Sequence, residues 1–145
     1  MTMTGLEVFD STIHTTNVWL KEIMEELHWE DRQKAYAALR AVLHVLRDRL
    51  IIEEAADLGA QLPMLIRGFY YEGWKPAGKP VKARRKEEFL AAIREYFMRS
   101  DPNINSERVA QAVFKVLDRR ISDGEIQDIK HVLPEDVVEL WPKAA

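Results

Sequence analysis

Shifting the sequence by 71 positions lays residues 35–70 on residues 106–141, and nine of the 36 pairs are then identical. They are Ala41/Ala112, Val42/Val113, Val45/Val116, Leu46/Leu117, Arg49/Arg120, Glu54/Glu125, Asp57/Asp128, Leu62/Leu133 and Pro63/Pro134. Other apolar positions keep their character, among them Leu43/Phe114, Leu50/Ile121, Leu58/Ile129, Ile66/Val137 and Phe69/Leu140. Upstream the register slips by one: Trp19, Leu20, Ile23 and Leu27 meet Phe89, Leu90, Ile93 and Phe97. One extra residue in the turn near Pro102 accounts for the slip. Self-similarity of this kind constrains the fold first, because each copy must form the same unit.

The unit is helical. Trp19, Leu20, Ile23, Met24 and Leu27 recur at the 3.6-residue period, as do Ala38, Leu39, Val42, Val45 and Leu46. Asp31, and Asn105 or Ser106, sit where helix N-caps are expected. Ser122 with Glu125 has capping-box spacing. Pro63 and Pro134 suit the first position of a short fourth helix, and the preceding Leu62 and Leu133 are biased to extended backbone. No segment alternates with period two. The expectation is an all-α fold of two tandem pseudo-repeated four-helix units, about eight helices, joined by a basic Pro/Gly linker. Residues 1–74 form the first unit, 75–86 the linker and 87–145 the second, the two packing as one compact domain.

Charge is distributed unevenly. The first 74 residues carry net −5, the last 59 carry net −4, and the linker carries six cations and no acid. Those cations, Lys75, Lys79, Lys82, Arg84, Arg85 and Lys86, are candidate anion contacts. The plainer reading is a basic strap that solvates a loop or pairs with its acidic flanks. The whole chain is at −3, so no overall field draws it to nucleic acid or acidic membranes.

Several chemistries lack their residues. There is no cysteine, which removes disulfides, thiolate metal sites and cysteine nucleophiles. His14, His28, His44 and His131 include no i, i+4 pair, so no metal site is expected. His44 aligns with Lys115 and is expected to face solvent. Nucleophile-elbow and phosphate-cradling glycine motifs are absent. Glu25-Glu26, Glu53-Glu54 and Glu87-Glu88 read as solvated faces and first-turn charges. No catalytic residue and no cofactor is assigned. The N-terminus has neither the basic nor the apolar region of a signal peptide, and no apolar run approaches the roughly 18 residues of a membrane span. Cytoplasm is the expected compartment, with no membrane partner.

Where the copies differ, the shared fold does not need what one of them has. Residues 60–74 carry Arg67, Tyr70, Tyr71 and Trp74, while the counterpart from Leu133 to Trp141 keeps only the apolar skeleton. These four residues are the candidate binding surface. The structural alternative is that the aromatics cap the core between units, with Gly68 permitting close helix contact. Arg49 recurs as Arg120, and it is expected to bond the last carbonyls of the second helix or to pair with the recurring Asp57 and Asp128.

Leu46-Arg47-Asp48-Arg49-Leu50, Ala60-Gln61-Leu62-Pro63 and Arg67-Gly68-Phe69-Tyr70-Tyr71-Glu72-Gly73-Trp74-Lys75-Pro76 together resemble the bacterial family called domain of unknown function 2267 (DUF2267). The resemblance spans roughly residues 6–142. It implies a bacterial, helical, cytoplasmic protein and carries over no activity and no catalytic residue.

The expected function is a non-enzymatic helical interaction or regulatory module, engaging a protein partner or a second copy. Alternatives are nucleic-acid binding through the basic linker, and binding of a small anionic ligand between the repeats with Arg67 as counter-charge.

Overall fold

A computed structural model describes residues 4–82 and 85–143. Among them are eight α-helices and no strand: α1 (Glu7–Leu27), α2 (Arg32–Arg47), α3 (Ile52–Gln61), α4 (Met64–Tyr71), α5 (Lys86–Glu95), α6 (Ser106–Arg120), α7 (Asp123–Val132) and α8 (Glu135–Val138). The local signals place the boundaries. Asp31 accepts the Lys34 N–H at 3.1 Å, Asn105 that of Arg108 at 3.1 Å and Ser122 that of Glu125 at 3.2 Å. α1 stops where His28 enters the left-handed region (φ 58°), and the Trp29 N–H reaches back to the Met24 carbonyl. Leu62 and Leu133 are extended, and Pro63 and Pro134 occupy the N-cap, one position before the expected one.

The core is continuous across both halves of the chain, from Trp19 to Trp141. α2 is its axis, packed by α1, α4, α5 and α6. Residues 41–47 are buried without interruption, so this stretch is enclosed on every side. Enclosure forces its polar members to find partners inside. His44 is only 3% exposed, against the expectation of a solvent-facing position. Its Nε2 lies 2.6 Å from the Phe69 carbonyl, which requires the Nε2–H tautomer. The aligned Lys115 is exposed and pairs with Glu26. At these two aligned positions α6 is open to solvent, whereas α2 is covered by α4.

Arg49 donates to the Val45 carbonyl at 3.2 Å, as a C-terminal cap of α2 should. Neither Asp57 nor Asp128 is within ion-pair distance of it among the described residues. Arg120 takes a different partner, Glu22 on α1.

Candidate functional site

α4 has two faces with different duties. On the inner face, Arg67 Nε donates to the Gly59 carbonyl at 2.9 Å, and Nη2 donates to Leu62 at 2.8 Å and Ala60 at 3.3 Å. These carbonyls lie at the end of α3, where that of Gly59 also accepts the Leu62 N–H at 3.1 Å, so the guanidinium acts as a C-cap supplied from the next helix. Tyr70, expected on a binding surface, is fully buried (0% exposed), and its hydroxyl donates to the Ala55 carbonyl at 2.6 Å. Burial raises that phenol well above its ordinary pKa. Tyr71 is half-buried, its ring 4.9 Å from that of Tyr70 and 5.5 Å from that of Trp74. It lies over Gly59, where an added Cβ would overlap the ring. The close helix contact therefore runs through Gly59, whereas Gly68 has open space where its Cβ would be. Trp74 is half-buried against the core. An arginine that the aromatic motif does not contain completes this face. Arg47, 4% exposed, donates to the Tyr70 carbonyl at 2.7 Å, to the Glu72 carbonyl at 3.1 Å and to Asp48 Oδ1 at 2.9 Å. Arg47 sits in a dense polar run of the sequence, and only the fold shows that it faces the end of α4.

The linker cations are not gathered into one site. Lys75, Lys82 and Arg85 are exposed, Lys79 is half-buried, and Arg84 lies outside the described residues. Lys86 opens α5, its N–H bound by Asp136 at 2.8 Å and its ammonium 3.8 Å from Glu139 and 3.9 Å from Glu107. The Val81 N–H donates to the Asp48 carbonyl at 2.8 Å, fastening the linker to the end of α2.

The outer face of α4 borders an open, apolar groove of 620 Å³ lined by Phe9, Ile13, Tyr36, Met64, Leu65 and Phe69. Glu72, the one charged side chain on its wall among the described residues, pairs with Arg40 at 2.9 Å. All the buried residues of α1 lie from Thr16 onward. Its first half instead exposes Val8 (57%) and Phe9 (46%), beside Met64 (43%) and Leu65 (44%) of α4.

A second polar concentration lies where α3 meets α7. Carboxylate oxygens of Glu54, Asp57 and Glu125 all fall within 4.8 Å of one another. Burial and the neighbouring Glu54 push Glu125 up to about 7, and burial raises Glu54 as well. The expectation of a solvated Glu53-Glu54 face fails at Glu54, because α7 covers it. Arg67, named above as the counter-charge for an anionic ligand, donates to the carbonyls of Gly59, Ala60 and Leu62.

A family model described as an uncharacterized conserved protein, DUF2267, matches residues 16–140. The chain belongs to the DUF2267 family. No curated protein matches it. The DUF2267 match begins at Thr16, the first buried residue of α1, and includes the whole of α4, the linker and α7. The exposed opening half of α1 precedes the part matched by DUF2267. Among the described residues, no helix is long and apolar enough to cross a membrane.

Proposed function

We propose that this chain is a non-enzymatic helical interaction module that self-associates through the groove between α1 and α4. The observation that carries the reading is the apolar groove itself, lined by Phe9, Met64 and Leu65, each at least 43% exposed, with Val8 (57%) exposed on the neighbouring surface of α1. Single exposed apolar residues are ordinary, but three lining one concavity, with Val8 across Met64 from them, form a patch of the kind that marks an interface. The occupant we favour is a second copy. Ridge and groove are adjacent on one molecule, so a twofold axis lets each copy insert Val8 and Phe9 into the other's groove. The wall's single carboxylate is already paired, which leaves an apolar partner surface as the complement.

Size-exclusion chromatography with light scattering over a concentration series tests this. The wild type runs as a dimer, while Phe9→Glu and Leu65→Glu run as folded monomers. A wild type that stays monomeric throughout removes the second copy as occupant. A dimer that survives both substitutions removes the groove.

The same proposal takes the bundle to be two tandem units, residues 1–74 and 87–145, with 75–86 as linker. Three correspondences support it. α3 and α7 are both ten residues long and start 71 apart, as α4 and α8 do. Pro63 and Pro134 are the N-caps of α4 and α8. Tyr70 and Trp141, again 71 apart, are both buried.

A further inference from the structure

We propose that His44 is a pH-sensitive latch on the groove between α1 and α4: its protonation releases the last turn of α4, which forms part of the groove wall. That acid thereby separates two copies rests on the self-association proposed above; the latch itself does not.

α4 is eight residues long and has no basic residue of its own in the last turn. Its end is held from α2 instead. Arg40, His44 and Arg47 are spaced by four and three residues, which puts them on one face of that helix. His44 Nε2 donates to the Phe69 carbonyl at 2.6 Å. Arg47 donates to the carbonyls of Tyr70 at 2.7 Å and Glu72 at 3.1 Å, and Arg40 to the Glu72 carboxylate at 2.9 Å. Phe69 and Glu72 both line the groove. The Phe69 ring meets that of Tyr36, another wall residue, edge-on at 5.2 Å. What α2 holds is therefore one wall of the groove.

Of the three holding side chains, only the imidazole changes charge near neutral pH. Neutral, it suits its place, 3% exposed with its N–H used. Charged, it does not. Arg40 and Arg47 repel it from its own helix, while the Asp48 carboxylate is taken by Arg47 at 2.9 Å and that of Glu72 by Arg40. Beyond α5, the neighbouring group is Tyr96, its ring 6.1 Å away and its phenol kept neutral by burial. Burial, then Arg47 and Arg40, hold the imidazole below its ordinary range, against the pull of the Phe69 carbonyl and Asp48. An imidazole that swings into water regains an ordinary pKa of about 6.5. Opening thus takes up a proton: the latch is closed above pH of about 6.5, and the open population grows as pH falls below it. Between pH of about 7.5 and about 5.5 that population rises by about tenfold.

Hydrogen exchange of the full chain at those two pH values, corrected for the intrinsic pH dependence of exchange, tests the latch, with light scattering on the same samples. In the wild type at the lower pH, protection of residues 69–74 falls by about tenfold, protection of α6 holds, and the dimer weakens. His44→Gln keeps an N–H donor and cannot take the proton, so its residues 69–74 stay protected at both values. The comparison of 69–74 with α6 is internal to the wild type and does not depend on the variant folding. No selective loss at 69–74 overturns the proposal, and so does a loss equal to that in α6, which is global unfolding. A loss that His44→Gln shares puts the proton elsewhere and overturns it as well. A wild type already monomeric at the higher pH overturns the self-association reading, while exchange still decides the latch.

Discussion

At the scale of the residue, two arginines near α4 differ in burial and therefore in what their loss costs. Arg67 caps three carbonyls from an exposed position, where water can replace much of what it gives. Arg67→Met is expected to cost about 1–2 kcal/mol in urea unfolding and to leave self-association intact. Arg47 serves two carbonyls from inside the core, and Arg47→Met strands them, for a loss of about 3 kcal/mol or more. His44 adds a pH dependence. Burial holds its imidazole below the ordinary value, against the pull of the Phe69 carbonyl. The unfolded chain then takes up the proton first, so this contribution is present above pH of about 6.5 and is lost as pH falls below it. Glu125 acts in the opposite sense, since a raised carboxyl favours the folded state in acid. Comparing wild type with His44→Gln at pH values on either side of 6.5 isolates the histidine. Stability of the wild type should fall more than that of the variant, and equal falls would contradict the assignment.

At the scale of the element, what could be read from the sequence was what is local. The Asp31, Asn105 and Ser122 caps are each set by a side chain and a backbone N–H three residues apart, and sequence displays both. The two faces of α4 were not legible, because periodicity identifies an apolar stripe without saying which neighbour covers it. The segment around Arg67, Tyr70, Tyr71 and Trp74 stood out because its repeat partner lacks it, and most of that difference turns out to serve the α3–α4 junction. The outer residues Met64 and Leu65 looked unremarkable beside it. Glu54 read as a first-turn surface charge and Glu125 as the capping-box partner of Ser122, and only the packing of α3 on α7 brings the two carboxyls together. Two glycines test the packing account. Gly→Ala in a helix ordinarily stabilises by about 0.5–1 kcal/mol, the gain expected at Gly68, where the space is open. At Gly59 the methyl displaces Tyr71, and the sign reverses to a loss of about 1–3 kcal/mol. Urea unfolding of both variants checks it, and a gain at Gly59 would contradict the packing.

At the scale of the molecule, the halves are held together by more than their common core. Glu22 and Glu26 of α1 face Lys115, Arg119 and Arg120 of α6. Burial alone would raise the Glu26 carboxyl, but Lys115 and Arg119 hold it below its usual range. Gln61 and Ser122 join α3 to the cap of α7 through two hydrogen bonds of 3.1 and 3.0 Å. Beside the exposed Val8 and Phe9 of α1, that frame leaves an apolar concavity against α4. The absence of native cysteine allows that arrangement to be tested directly. Val8→Cys and Leu65→Cys, purified separately, mixed and oxidised, should yield a disulfide-linked heterodimer well above the level given by Val8→Cys mixed with a cysteine at the exposed Arg99. Equal yields from the two mixtures would contradict the docking of α1 into the α4 groove.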